Sequence, residues 1–360
     1  MKLEKVQITN FRCIDDSTEF KIGDITCLVG KNESGKTTIL QAIEPLNPYN
    51  AVHAQYHKLR DYPRKHLTDY DSRHRTEPAI VVRSTWSLVD TDVRLLEEVL
   101  GEECLRNRVV HISKGYTSNL WNIPLNSRKV LDYLIAQAGC TTEERGALQR
   151  FQDAKGLHTH IAQMADASPS IQALQTKLLS LQDQNLVLAA IDLLKPAVPK
   201  FMYFSNYDRM SGDVSIEKLR QDIANNTVSP GDSVFLDFLK FAGTTLDELS
   251  NINQFEDLRA RVEAASIKIT RQIFEYWSQN KHLKVQFTID SGRPGDPPPF
   301  NTGTVMRARV YNQLHDMTVP FSDRSAGFIW FFSFLVSFSQ VREQHGNVKG
   351  TIGLTYQTPA

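Results

Sequence analysis

Residues 30–38 read Gly-Lys-Asn-Glu-Ser-Gly-Lys-Thr-Thr, a stretch that limits the possible folds more than any other part of the chain. Its glycines, lysine and threonine satisfy every fixed position of the pattern G-x-x-x-x-G-K-[ST]. Loops of this kind surround an anion with backbone N–H groups, and they require a strand before the loop and a helix after it. The stretch therefore predicts a strand–loop–helix unit.

The residues that flank the loop suit this arrangement. Ile25 to Val29 is a short β-branched and apolar run, which predicts a strand buried on both faces. After the loop, apolar residues between Ile39 and Ile43 recur at helical spacing, and prolines at positions 45 and 48 end the helix. A chance glycine-rich turn is the alternative, and the complete pattern in its expected setting argues against it.

The chemistry of the loop residues points to a nucleotide. Glycines 30 and 35 permit backbone angles closed to other residues, so the chain can approach phosphate oxygens closely. Lys36 supplies charge for the β- and γ-phosphates, Thr37 is a ligand for Mg²⁺, and Thr38 donates to the α-phosphate. ATP and Mg²⁺ are the expected cofactors. The predicted nucleotide-binding residues are Gly30, Asn32, Ser34, Gly35, Lys36, Thr37, Thr38 and Arg12.

Composition narrows the class of protein. The 41 basic and 41 acidic residues give a net charge of zero, so nucleic-acid binding needs a local basic patch rather than overall charge. Four widely spaced cysteines without C-x-x-C pairs favour a reducing, cytoplasmic location. The N-terminus does not resemble a signal peptide, and the longest apolar run, Phe328 to Phe338, is about half a membrane span. We therefore expect neither secretion nor membrane insertion.

A local basic patch does exist, in residues 51–77, where His, Lys and Arg alternate with tyrosines. Such a stretch could lie on a nucleic-acid backbone, but the aspartates within it favour a solvated loop. His53 and His57 could share a helix face and bind a metal with Asp61. The absence of a nearby cysteine argues against that metal site.

The order of predicted elements gives an α/β fold. An edge-like strand is predicted at residues 2–9, and another strand at 283–289. An antiparallel β-subdomain is predicted from strands at 79–89 and 108–112, with a helix at 92–100 between them. Helices are predicted at 126–200 and 233–277. A 3-4-3 spacing of apolar residues links Ile171, Leu174, Leu178 and Leu181, and Asn185 and Leu188 continue it. This pattern suits a short helical hairpin or a dimer contact. It suits one face of an ordinary buried helix equally well.

A second informative stretch runs from Phe321 to Gly327, Phe-Ser-Asp-Arg-Ser-Ala-Gly, and leads into a run rich in aromatic residues. A serine and a glycine at a helix start offer a hydroxyl, backbone N–H groups and a positive dipole end to an anion. Asp323 is an alternative cap for that helix. Arg12 and Arg324 are candidates for phosphate contact through their planar donor groups, or else they are surface or structural salt-bridge arginines.

Together, Asn10-Phe11-Arg12, the loop at 30–38 and Ser325-Ala326-Gly327 resemble the ATPase heads of the ABC-type superfamily that contains SMC proteins, RecF and the overcoming-lysogenization-defect (OLD) nucleases. Arg324 to Phe334 is most similar to OLD-type ATPases of phage-defence systems. The wide separation of Lys36 and Ser325 disfavours a transporter ATPase, and the segment between them is too short for an SMC arm.

The resemblance implies a P-loop NTPase head with an antiparallel β-subdomain and a large helical insertion. The implied segments are an ATPase lobe at 1–125, a mainly helical insertion at 126–282 with a strand near 200–204, a signature lobe at 283–345 and a divergent tail at 346–360. It also implies head dimers, or assemblies with related heads, in which Arg324, Ser325 and Gly327 of one head face ATP on another. DNA repair or anti-phage defence, with DNA as a possible partner, is the implied context.

The resemblance further implies a strand ending in Asp-Glu after the signature helix, and no such strand is predicted. Asp247-Glu248 follows no apolar strand, and Asp192 suits a helix. We therefore expect a head truncated before that strand, with part of its core sheet missing and with ATP hydrolysis lost or dependent on another chain. The alternative is a non-enzymatic regulatory or remnant fragment that docks on an intact homologue. A direct nucleic-acid binder that uses residues 53–75 is a third hypothesis.

Overall fold

A computed structural model describes residues 1–164, 166–205, 208–248, 255–276, 282–345 and 352–354. The chain divides into two compact units, the first reaching Tyr203 and the second beginning at Phe204. This boundary falls inside the predicted insertion 126–282. The fold is mixed α/β with antiparallel sheets.

The first unit contains a six-stranded sheet in which every pairing is antiparallel. Its strands are β1 (Lys2–Phe11), β2 (Ile14–Asp16), β3 (Phe20–Lys21), β4 (Ile80–Ser87), β5 (Val109–Gly115) and β6 (Asn119–Asn122). Their order is β2-β1-β4-β5-β6, with β3 also paired to β1. The prediction of an antiparallel β-subdomain is confirmed. The prediction that residues 2–9 form an edge-like strand is wrong, because β1 pairs on both sides and buries Leu3, Val6 and Ile8.

The strand predicted at Ile25–Val29 is absent. These residues follow β3 outside any helix or strand, and the side chains of Ile25 and Val29 are 94% and 90% exposed. The sheet does not extend to them, since β3 ends at Lys21. Without a neighbouring strand to satisfy the backbone and cover the side chains, a β-branched run has nothing to hold it in a sheet.

The helices of the first unit build its core against this sheet. They are α1 (Lys36–Ile43), α2 (Lys58–Asp61), α3 (Tyr70–Arg73), α4 (Asp90–Leu100), α5 (Ser127–Gln137), α6 (Thr142–Leu148), α7 (Ala154–Ala162), α8 (Pro169–Leu179) and α9 (Leu186–Leu194). Trp86 on β4 is fully buried, and its ring meets Phe201 edge to face at 6.3 Å. The helix predicted to end at Gly101 is confirmed as α4.

The leucine pattern at 171–188 does not form one continuous seam. Ile171, Leu174 and Leu178 are buried in α8, which ends at Leu179. The side chain of Asn185 then accepts hydrogen bonds from the N–H groups of the first turn of α9, so it begins a new helix. The simpler interpretation, one face of a buried helix, is the one observed for α8.

The second unit is built around β10. Its elements, with those at its boundary, are β7 (Met202–Phe204), β8 (Asp213–Ser215), α10 (Ile216–Ala224), α11 (Pro230–Phe241), α12 (Phe255–Tyr276), β9 (Leu283–Ser291), β10 (Thr304–Asn312), β11 (Met317–Pro320), α13 (Ala326–His345) and β12 (Ile352–Leu354). Strand β10 pairs antiparallel with β8, β9 and β11, and β7 pairs with β12. The predicted strand at 283–289 is confirmed as β9.

The aromatic run at 328–338 is part of the second unit's core. It lies on α13, where Phe328 and Phe332 are buried and contact the ring of Phe321. The helical stretch predicted at 233–277 is two helices, α11 and α12, and Trp277 lies outside the described residues. Within the ranges given above, no helix is long and apolar enough to cross a membrane.

Candidate functional site

The predicted phosphate loop leads directly into α1. Helix α1 begins at Lys36, and its N-cap residue is Gly35, whose φ of 88° lies in the left-handed region. A glycine can adopt this angle without the steric cost that a side chain would add. Because Gly35 has no side chain, nothing from that residue caps the helix. The first N–H groups of α1 have no partner within the helix and remain suited to an anion.

The side chain of Lys36 turns back over the loop. Its ammonium group donates to the carbonyl oxygens of Gly30, at 2.8 Å, and Lys31, at 2.6 Å. The loop is also closed by a hydrogen bond from the Ser34 N–H to the Lys31 oxygen, and a Cβ on Gly30 would lie 2.9 Å from the Ser34 hydroxyl. The positive charge of Lys36 is therefore held beside the loop backbone, where a phosphate would need it.

The side chains of the remaining loop residues are accessible to a ligand that approaches from solvent. Asn32 and Ser34 are exposed, whereas Thr37 and Thr38 are half-buried in the first turn of α1. The donor set fits ATP with Mg²⁺, since it offers uncapped helix N–H groups, one ammonium and the hydroxyls of Thr37 and Thr38. Thr37 would hold the metal. Mg²⁺ would supply charge that neutralises the phosphate oxygens.

The turn between β1 and β2 packs against the start of α1. Cys13 lies in this turn, and its sulfur is 3.6 Å from the hydroxyl oxygen of Thr38. A Cβ on Gly35 would lie 3.5 Å from both the Cys13 sulfur and the Ile14 side chain. The turn thus forms one wall of the loop, a contact that the sequence pattern did not reveal.

Arg12, in the same turn, is anchored on Asp61. Its Nε and Nη2 donate to Asp61 Oδ1 at 3.3 and 3.2 Å, and its Nη1 donates to the Gln41 side chain on α1. The Arg12 N–H also donates to the Asp61 carbonyl oxygen at 2.6 Å. The salt-bridge interpretation of Arg12 is therefore observed. Phosphate contact stays a prediction.

The basic stretch at 51–77 is tied to the rest of the first unit. Lys58 pairs with Asp71, Lys65 pairs with Asp15, and Arg60 joins Arg12 at Asp61. Tyr56 and Tyr62 are buried core residues rather than surface rings. Their edge-to-face contacts with Phe11 and Tyr116 hold the stretch in place. The four arginines of the stretch are exposed: Arg60, Arg64, Arg73 and Arg75.

His53 and His57 do not share a helix face. His53 ends a short 3-10 helix and pairs with Glu44, whereas His57 is the residue before α2. The Asp61 carboxylate, the third proposed ligand, is occupied by arginines and by the His57 N–H. In the described part of the chain, no group of three or more His, Cys, Asp or Glu residues could hold a metal ion.

In the second unit, Ser325 rather than Asp323 caps α13. The Ser325 hydroxyl accepts a hydrogen bond from the Phe328 N–H at 3.3 Å, so the alternative in which Asp323 caps this helix is wrong. Ser325 and Gly327 are exposed. The Arg324 guanidinium lies 5.8 Å from the Phe328 ring centre, and its Nε is buried without a hydrogen-bond partner. These three residues share one helix start, as predicted, and their contact with ATP on another head stays a prediction.

Neither acidic candidate for the hydrolytic strand lies at a strand end. Asp192 lies within α9. Glu248 accepts hydrogen bonds from the Thr244 hydroxyl and the Thr245 N–H, in a turn after α11. Both placements agree with the sequence-based interpretation of these residues.

Two comparisons with known proteins each match part of the chain. Residues 1–83 match the family described as AAA ATPase domain. Over 42 residues, the chain is 48% identical to the OLD nuclease of Thermus scotoductus. That match covers 12% of this chain and only 8% of the relative. Both matches support an ATPase head of the AAA and OLD type.

Proposed function

We propose that this chain, which carries an AAA/OLD-type ATPase head, binds ATP with Mg²⁺ at residues 30–38. The observation that carries the proposal is the structure of the loop: a left-handed Gly35 leaves the start of α1 uncapped, and Lys36 is folded over the same backbone. Gly30, Asn32, Ser34 and Thr38 complete the phosphate contacts, and Thr37 holds the metal. Arg12 adds a second positive charge beside α1.

We further propose that ATP joins two such heads. Arg324, Ser325 and Gly327 of one head would contact the nucleotide held by another copy or by a related head. The positive dipole end at the start of α13 supports this role for the signature residues. Hydrolysis in related heads uses an Asp-Glu pair at the end of a strand, and Asp192 and Glu248 do not lie at strand ends. In our proposal, ATP hydrolysis is therefore lost or is completed by another chain. The process served would be DNA repair or anti-phage defence in the cytoplasm.

Equilibrium binding of a fluorescent ATP analogue with Mg²⁺ tests the nucleotide site. We expect wild-type protein to bind and Lys36→Ala to lose at least tenfold in affinity, because charged hydrogen bonds to phosphate are worth about 1.5–3 kcal/mol. Lys31→Ala is the matched control, since Lys31 contributes only its carbonyl to the loop contacts described above. Equal affinity of wild-type and Lys36→Ala protein would contradict the proposal. Turnover by the isolated wild-type chain, abolished by Lys36→Ala, would contradict lost hydrolysis.

A second candidate function is a non-enzymatic fragment that docks on an intact homologue. The exposed apolar run around Ile25 and Val29 favours it, because unpaired β-branched segments readily accept a strand from another chain. This candidate predicts no binding of the ATP analogue at micromolar concentration, together with co-elution with an intact homologue. Binding of ATP without co-elution would exclude it.

A further inference from the structure

Three separate segments meet at the guanidinium of Arg12. The turn after β1 supplies Arg12, α1 supplies Gln41, and the end of α2 supplies Asp61. The Asp61 side chain is only 3% exposed, whereas the Arg12 side chain is 37% exposed. One side of the guanidinium is therefore fixed on a buried carboxylate, and part of it remains open to solvent.

The Asp61 carboxylate is itself firmly held. Its Oδ2 accepts the His57 N–H at 3.0 Å, and the Arg60 side chain donates to both carboxylate oxygens. Burial raises the pKa of Asp61, but the His57 hydrogen bond and the charges of Arg60 and Arg12 outweigh it and lower the pKa below its ordinary value. Asp61 is thus charged at neutral pH and serves as a fixed acceptor.

The donors of Arg12 are only partly used by these contacts. A guanidinium carries five N–H groups, of which Nε, one on Nη1 and one on Nη2 are engaged by Asp61 and Gln41. This leaves one N–H on each terminal nitrogen. Arg12 directly precedes Cys13, whose sulfur contacts Thr38 in the first turn of α1, so these donors lie on a turn that packs against the phosphate loop helix.

We propose that Asp61 and Gln41 are positioning residues that hold Arg12 so that its two remaining N–H groups are available to a phosphate of the nucleotide bound at residues 30–38. The inference rests on the proposed function of that loop. A fixed guanidinium binds a phosphate with less loss of side-chain entropy than a free one, so loss of either contact weakens nucleotide binding through Arg12.

A double-mutant cycle between Arg12 and Gln41 tests the inference. The dissociation constant for ATP with Mg²⁺ is measured by calorimetry for the wild type, Arg12→Ala, Gln41→Ala and the double variant. We expect Gln41→Ala to raise the dissociation constant about fivefold, which is less than the loss of a direct charged hydrogen bond to the ligand, because Gln41 acts on ATP only by positioning Arg12. The double variant should bind no more weakly than Arg12→Ala alone, because Gln41 acts only through Arg12.

Asp61→Asn and Lys58→Ala form a second arm. Asp61→Asn should weaken ATP binding. Lys58→Ala should not, because Lys58 lies on the same helix as Asp61 but pairs with the exposed Asp71. Melting temperatures accompany each variant. Gln41→Ala should melt at the wild-type temperature, since alanine suits a helix, so its effect on binding cannot come from unfolding.

Each result bears on the inference. Unchanged affinity in Gln41→Ala, or effects of Arg12→Ala and Gln41→Ala that add fully, would overturn the positioning role while leaving the proposed function intact. A wild-type chain that binds no ATP, or binds as well after Lys36→Ala, would instead overturn the proposed function and the inference with it.

Discussion

Gly35 adopts a φ of 88° between the phosphate loop and α1, with the Cys13 sulfur and Ile14 side chain as neighbours. A Cβ at this position would meet those neighbours at 3.5 Å, which is ordinary contact. The backbone angle, and not space, is therefore what excludes other residues. The path of the loop into the helix depends on this single glycine, as the sequence pattern predicts.

Gly35→Ala should destabilise the protein by about 1 kcal/mol and weaken ATP binding, because an L-residue is strained at this angle. Gly146→Ala is the control: Gly146 lies inside α6, and a Cβ added there would have nothing within 4 Å, so this variant should gain roughly 0.5–1 kcal/mol. Urea unfolding with a parallel ATP titration checks both. A Gly35→Ala variant as stable as wild type would contradict the argument.

Asp237 on α11 is a buried carboxylate whose neighbours do not fully offset the cost of burying its charge. Burial raises its pKa, although the Ser337 hydroxyl donates to it at 2.9 Å and Lys240 lies 3.5 Å away. An acid whose pKa is higher in the folded state is neutral more readily there than in the unfolded chain. Folding stability is therefore lost as the pH rises from the ordinary pKa, 3.8, through the folded value.

Asp237→Asn should accordingly raise the free energy of unfolding at neutral pH, and the gain should vanish below pH 3.8, where the aspartate is protonated in both states. The asparagine oxygen can still accept the Ser337 hydrogen bond. The exposed Asp257, replaced by asparagine, serves as the control and should show no such gain. Denaturant unfolding across pH checks the prediction, which fails if the gain is independent of pH.

At the scale of elements, the segment Ile25–Val29 and strand β4 have similar compositions but different surroundings. Both are rich in β-branched residues. Strand β4 is paired by β1 and β5, and its Val82 is fully buried. The segment at 25–29 has no such neighbours, and Val29 is 90% exposed. Pairing partners and burial, rather than local propensity, decide which of the two becomes a strand.

Val29→Thr should therefore change the free energy of unfolding by less than about 0.5 kcal/mol. Val82→Thr should cost about 1–3 kcal/mol, because it buries a hydroxyl in an apolar core. Both are measured by chemical denaturation of the full chain. A large cost at Val29 in dilute protein would mean that this side chain is buried by its own chain in solution.

At the scale of the whole molecule, the chain consists of two compact units, and the proposed nucleotide-binding residues at 12 and 30–38 all belong to the first. A ligand that binds only the folded protein stabilises it by mass action, by about 2.7 kcal/mol at a concentration one hundred times the dissociation constant. Ligand binding suppresses local unfolding mainly in the unit that holds the ligand.

Hydrogen exchange of the full chain with and without ATP and Mg²⁺ should accordingly show slower exchange in residues 30–43. Strand β10, in the second unit, should change less when the protein is monomeric. Lys36→Ala should abolish the difference at 30–43. A response confined to β10, or one that persists in Lys36→Ala, would place the nucleotide elsewhere.

Features that depend on neighbouring residues could be predicted without the fold. These are the loop at 30–38 with its glycine before α1, the helix start at Ser325 and the alternating strands β1, β4 and β9. Each is specified by local backbone preference and side-chain periodicity, which can be read from a short window. The sequence also indicated Arg12 as a candidate for the site, but not its partners.

The fold set the features that depend on residues distant in the chain. It left Ile25–Val29 unpaired, placed β1 inside the sheet instead of at its edge, and anchored Arg12 on Asp61 and Gln41. The physical reason is that strand pairing, burial and ion-pair geometry come from segments far apart in the chain. A local pattern can supply a strand or an arginine, but not what it will contact.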